Sequence, residues 1–296
     1  MAEKISVFKS PEGEAKNIKA YDSALAHWPV PYEELDLPTQ FGITHIITSG
    51  PKDAKPIFLL HGQDSSAIAW IYNVLDLSRT FRIYAIDTLG DIGKSKPSHL
   101  LNSREDYARW LLGIFELLKI EKADLVGISY GGFLATNFAL AYPKRVNRIV
   151  LLSPGIPNLA PPTLQWANYG IPMMFLPSRL TVKRFINGAS MKGYSPDDPV
   201  HEQMIVGIMN MKKVSFMRPI FTEEELTRLT APTLLMIGDH DIMYEPGKAL
   251  ENASRLIPGL QSELIANANH FLNGDQAQII NEHILHFLLA DIRESN

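Results

Sequence analysis

The chain has 296 residues, of which 46% are hydrophobic, with a net charge of −4 and no cysteine. That length and apolar content suit one large domain, or a domain carrying an insertion. Unclustered basic residues argue against a nucleic-acid partner, and the missing cysteine excludes disulfides, thiolate metal sites and cysteine nucleophiles.

Met1 to Ser10 has no long apolar core and no small-residue cleavage pattern, so no secretory signal is expected. No run approaches the roughly 18 apolar residues of a spanning helix, so no membrane contact is expected either. A cytoplasmic protein is the default expectation, and the oligomeric state is left open. Residues 14–28 read as a short leading helix ending before Pro29. Pro31 to Gly50 reads as an opening hairpin, with Ile46 and Ile47 inside its second strand.

Short apolar runs then alternate with helical patterns. Pro56 to Leu60 reads as a buried strand, followed by the loop His61-Gly62-Gln63-Asp64. Phe81 to Ile86 is the next strand. The segment after it, Gly90-Asp91-Ile92-Gly93-Lys94-Ser95, imitates the end of a phosphate-binding loop. That motif needs glycine five residues before Gly93, and position 88 is threonine, so Asp87 to Ser95 is expected to be structural. Arg104 to Leu118 places Tyr107, Leu111, Ile114, Phe115 and Leu118 on one helical face.

Ala123 to Ile128 is a further strand, and Phe133 to Ala141 a helix. Between them stands Gly127-x-Ser129-x-Gly131, the strand–turn–helix setting in which a serine becomes a nucleophile. About 0.1 such match is expected by chance in a chain this long, so the pattern needs partners. The strand Arg148 to Leu152 is followed by Ser153 to Ala160, which holds no carboxylate. From residue 157 to 221 the alternation breaks. This stretch holds seven of the ten methionines: Met173, Met174, Met191, Met204, Met209, Met211 and Met217. It reads as an inserted helical cap whose adaptable side chains wall an apolar pocket, with residues 1–156 and 222–296 forming the core.

After the strand Thr233 to Ile237 come three candidate acids: Asp239, Asp241 and Glu245. Asp241 stands past the turn that Gly238 permits, where its side chain can point inward. Asp239 is nearer the strand end and suited to capping the turn. The strand Leu260 to Ala266 leads to His270 in a loop before the final helix, Gln276 to Leu289. His283 and His286 lie inside that helix and are weaker candidates for a base. Nucleophile, acid and base thus follow one another in the order Ser129, Asp241, His270. Two main-chain N–H groups, of Gln63 and Tyr130, are the expected oxyanion donors. His61 is expected to hold its loop by hydrogen bonds. The buried strands and the alternation with helices predict an α/β doubly wound fold.

The set His61-Gly62, Asp87…Gly90…Gly93…Ser95, Gly127-x-Ser129-x-Gly131, Gly238-x-x-Asp241 and His270 resembles the α/β-hydrolase superfamily across nearly the whole chain. Phe41 to Gly50, Ala26 to Val30 and Asp106 to Leu112 are similar to bacterial carboxylesterases of the naproxen-esterase type. The resemblance implies an eight-stranded, mostly parallel sheet with a helical cap, and a serine hydrolase without cofactor or metal. It implies Ser129 as nucleophile, His270 as base, Asp241 as acid and a small-molecule ester as substrate. The same triad also serves thioester, lactone and carbon–carbon bond hydrolysis or perhydrolysis, and some proteins of this scaffold sense ligands instead.

Overall fold

A computed structural model describes residues 5–212 and 220–290. Met1 to Lys4 of the leader segment, and Met217 with the rest of 213–219, lie outside the described residues. The strands are β1 (Tyr32–Thr39), β2 (Gly42–Ser49), β3 (Pro56–Leu60), β4 (Arg82–Ile86), β5 (Lys96–Pro97), β6 (Ala123–Ile128), β7 (Val146–Leu152), β8 (Thr233–Gly238) and β9 (Gln261–Ile265). They form one sheet in the order β1-β2-β4-β3-β6-β7-β8-β9, with β5 paired to β2 off this path. From β4 to β9 every pairing is parallel, and the opening hairpin is antiparallel. Among the described residues the sheet thus has nine strands instead of the eight that the resemblance implies. The extra one is a two-residue piece, too short to carry any periodicity of its own.

Alternation along the central strands sorts the core onto two faces. Phe58, Leu60, Leu125, Ile149, Leu151, Leu235 and Ile237 pack with the helices Arg104–Leu117, Tyr130–Ala141 and Pro246–Leu256. Ile57, Leu59, Val126, Val150, Leu152, Leu234 and Met236 face the helices Pro11–Leu25 and Ala277–Leu289. Burial on both faces is why these strands read as unbroken apolar runs. The edge strand β9 is mostly exposed, with Gln261, Ser262 and Glu263 in solvent.

The leading helix begins three residues before its expected start. Ser10 caps it by accepting from the Gly13 N–H, and Pro11 supplies a preset φ at the first position. Among the described residues, the stretch expected to be a cap contains three helices, Leu164–Phe175, Arg179–Ala189 and Pro199–Asn210. They share an apolar cluster in which Met173, Val182, Phe185, Ile186, Met204 and Ile205 are buried, together with Ile242 from the loop after β8.

The loop after β4 is held by a charge cluster around His45. Its Nδ1 lies 3.0 Å from Asp87 and its Nε2 2.9 Å from Glu34. Lys94 binds Glu34 and Asp22, and the Tyr21 ring stands edge-on to the imidazole. Asp87 also accepts from the N–H groups of Ala67 and Lys94. Burial lowers the His45 pKa, but hydrogen bonding and charge from Asp87 and Glu34 outweigh it, with Lys94 opposing, and the group ends above the ordinary histidine value. A raised folded pKa contributes stability that is complete below the unfolded value of about 6.5 and lost as pH rises through the folded value. The difference in thermal midpoint between the wild type and His45→Leu should therefore shrink between about pH 6 and about pH 9. A difference that widened over that range would contradict the charged state of His45.

Candidate active site

The turn between β6 and the following helix is shaped by missing side chains. A Cβ on Gly127 would lie 2.3 Å from the Gly131 carbonyl oxygen, and one on Gly131 would lie 1.9 Å from that of Leu60. Those contacts are with backbone, which cannot yield cheaply, so the positions demand glycine. Between them Ser129 adopts φ 50° and ψ −115°, a conformation that costs a non-glycine residue about 1–3 kcal/mol. Its N–H donates to the Leu152 carbonyl at 2.9 Å, and its carbonyl accepts from Gly155 at 2.7 Å. The strained serine is thereby fixed to the neighbouring strand end, and it opens the helix Tyr130–Ala141.

Ser129 Oγ lies 3.0 Å from His270 Nε2, and His270 Nδ1 lies 3.1 and 3.2 Å from the two Asp241 oxygens. Asp241 and His270 are buried, and Asp241 also accepts from the Met243 N–H at 2.7 Å. Three segments that are distant in sequence meet here because β6, β7, β8 and β9 are consecutive neighbours with their C-terminal ends together. Gly238 permits the turn: its Cβ would lie 2.4 Å from the Ala268 carbonyl oxygen.

The other candidates lie elsewhere. Asp239 accepts from the Ala268 N–H at 3.2 Å and pairs with His240 at 2.6 Å. Glu245 caps the helix Pro246–Leu256 by accepting from Gly247 and Lys248. His283 is half-buried and His286 exposed on the last helix. His61 accepts from the Thr88 N–H at 3.0 Å and bonds its neighbour's carbonyl at 2.7 Å. Burial pushes its pKa down, against the pull of Asp87, which suits a neutral ring.

Gln63 and Tyr130 border the same cavity as Ser129 and His270, a space of about 210 Å³. A Cβ on Gly62 would sit 3.4 Å from the Ser129 Cβ, so the loop leaving β3 runs directly against the serine. Trp166, Met173, Met174, Phe185 and Met204 wall the cavity from the three helices above the sheet. Met243 and Tyr244 add a wall from the loop after β8, and Ile156 one from the loop after β7. Among the other methionines of that stretch, Met211 is buried against Val7, Phe8 and Ile92, and Met191 is exposed.

Two residues escape a sequence reading. Asn269 accepts from the His270 and Ile242 N–H groups and donates to the Gly188 carbonyl. Asp275 accepts from the Asn269 N–H at 2.9 Å and from Ser190 Oγ at 2.6 Å. Together they pin the His270 loop to the end of the helix Arg179–Ala189. An asparagine next to a candidate base was the available signal, but its cap partner, the Gly188 carbonyl, is over eighty residues away.

Comparison with known proteins agrees with the fold. A family model described as alpha/beta hydrolase fold matches residues 55–182. The carboxylesterase YbfK of Bacillus subtilis (strain 168) is 35% identical, over 97% of this chain and 98% of that protein. The crystal structure of naproxen esterase (carboxylesterase NP) from Bacillus subtilis superposes with a TM-score of 0.87 at 34% identity, covering 95% of this chain and 99% of that one. That of carboxylesterase CesB (YbfK) from the same organism gives 0.88 at 34% identity, covering 95% and 100%.

Proposed function

This chain belongs to the α/β-hydrolase family and is an ester-hydrolysing enzyme, and from that premise we propose that Ser129, His270 and Asp241 carry out the reaction as nucleophile, base and acid. The observation that carries the assignment is the 3.0 Å contact of His270 Nε2 with the Oγ of a backbone-strained serine. His270 takes the Ser129 proton as Oγ attacks the ester carbonyl. Asp241, hydrogen-bonded to Nδ1, fixes the tautomer and stabilises the imidazolium. The N–H groups of Gln63 and Tyr130 receive the oxyanion. This role is supported by their place beside Ser129 in one cavity. The imidazolium then protonates the leaving alcohol. A water molecule, activated by the same histidine, attacks the acyl-serine and releases the acid.

Residues 1–156 and 222–296 are assigned to the catalytic core and 157–221 to a cap, a division supported by the apolar cluster that the cap helices share, which meets the core at Ile242 and Phe271. The methionine and tryptophan walls favour apolar esters. No helix among the described residues is long and apolar enough to cross a membrane. A cytoplasmic setting is part of the same proposal, supported by a chain without cysteine.

A substrate panel tests the reaction class. Short-chain p-nitrophenyl esters should be turned over continuously, and β-diketone acids, the substrates of carbon–carbon hydrolysis, should be left intact. Cleavage of a diketone acid without ester turnover would overturn the reading.

A further inference from the structure

The loop that follows β3 is anchored on both sides of Gln63. Ahead of it, His61 is tied to Thr88, as described above. Behind it, the Asp64 N–H donates to Asp91 Oδ2 at 3.2 Å, with Asp64 at a left-handed φ of 58°. Next, the chain turns Ser66 away from the cavity into full burial, where its Oγ donates to Gln203 Oε1 at 3.1 Å. Gln203 belongs to the cap helix Pro199–Asn210, which also sends Val200, His201 and Met204 to the cavity wall.

Gln203 is itself held in place. Its Nε2 donates to the Ile92 carbonyl at 3.2 Å, and the same carbonyl accepts from Asn17 Nδ2 at 2.8 Å. The Ile92 N–H donates to Asp91 Oδ1 at 2.8 Å, which closes the circuit back to Asp64. Asn17, Ser66, Asp91 and Gln203 are all buried. The helices approach closely here because Gly207 has no side chain: a Cβ there would lie 2.7 Å from Ile92 and 2.9 Å from Asn17. One polar circuit thus links the leading helix, the loop after β4, the cap helix and the Gln63 loop. In so dry a setting each unmade bond costs the desolvation of its group, so the circuit holds one arrangement.

We propose that Gln203 is a positioning residue for ester hydrolysis, holding Ser66 from the cap and through it setting the Gln63 N–H where the oxyanion forms. This rests on the oxyanion role given to Gln63 above. It makes the cap part of the catalytic geometry as well as a wall of the pocket. A misplacement of about 1 Å at a reacting centre costs about 10²-fold, so Gln203→Leu should lower kcat per active site by about 10–10²-fold, with KM changed less than about threefold. A merely structural loss would reduce the number of active sites and not the turnover of each.

The wild type and two variants, Gln203→Leu and Gln203→Glu, are titrated with a fluorophosphonate to count reactive serines, and kcat is measured per labelled site. In Gln203→Glu a carboxylate faces the Ile92 carbonyl, while the protonated form restores the donor, and burial raises the pKa of such a group. The ratio of this variant's kcat to that of the wild type should therefore rise as pH falls from about 8 to about 5.5. Taking the ratio cancels pH effects common to both enzymes. A kcat per site within about twofold of wild type in Gln203→Leu, or a flat ratio in Gln203→Glu, would overturn the proposal. If the leucine variant fails to fold, the glutamate ratio decides alone. A wild type that takes no label on Ser129 would instead overturn the nucleophile assignment beneath it.

Discussion

Ser129→Ala should lower kcat for a simple aryl ester by about 10⁴–10⁶-fold, as removal of a triad member does elsewhere. The fold should survive, because the residue's structural bonds are made by its backbone, to Leu152 and Gly155. What the variant loses is Oγ, the atom facing His270 Nε2 at 3.0 Å. Any remaining rate enhancement would come from oxyanion donors and substrate positioning alone. Activity within about tenfold of wild type would remove Ser129 from the mechanism.

The second large effect separates two aspartates two residues apart. Asp241→Asn should cost on the order of 10⁴ in kcat. An amide facing Nδ1 forces that nitrogen to accept, which puts the proton on Nε2, where the serine proton must go. Asp239→Asn should cost only a few-fold, because Asp239 serves His240 and the Ala268 N–H and not the base. Purified variants assayed on one ester at one pH give the comparison. The reverse ranking would move the acid to Asp239.

Much of this architecture was legible because the chemistry is local or ordered. β3, β4, β6, β7 and β8 announce themselves through continuous apolar runs, since both faces are covered. Gly127, Gly131 and Gly238 are needed where backbones nearly touch, so the glycine pattern marks the turns beside Ser129 and Asp241. Order along the chain admits His270, His283 and His286 alike, and the loop position of His270 separates it from the other two, which lie inside the last helix.

The less legible parts depend on contacts without period or neighbour. Gln203 meets Asn17 and Ser66 across more than a hundred residues, and each alone reads as an ordinary polar helix or loop residue. Asp87 to Ser95 could be read as a structural loop, but its partners His45 and Glu34 come from the opening hairpin, where a histidine in an apolar strand gives no hint of two carboxylates. The methionines of 157–221 suggested a pocket wall. Only packing separates Met173 and Met204, which reach the cavity, from Met211, which packs against Val7 and Phe8 ahead of the leading helix.

Mass spectrometry of the enzyme after reaction with an organophosphonate ester tests the central claim most directly. One phosphonyl group per chain should appear on the peptide containing Ser129, with esterase activity falling in proportion. Labelling at another residue, or complete modification of Ser129 with activity intact, would contradict the account.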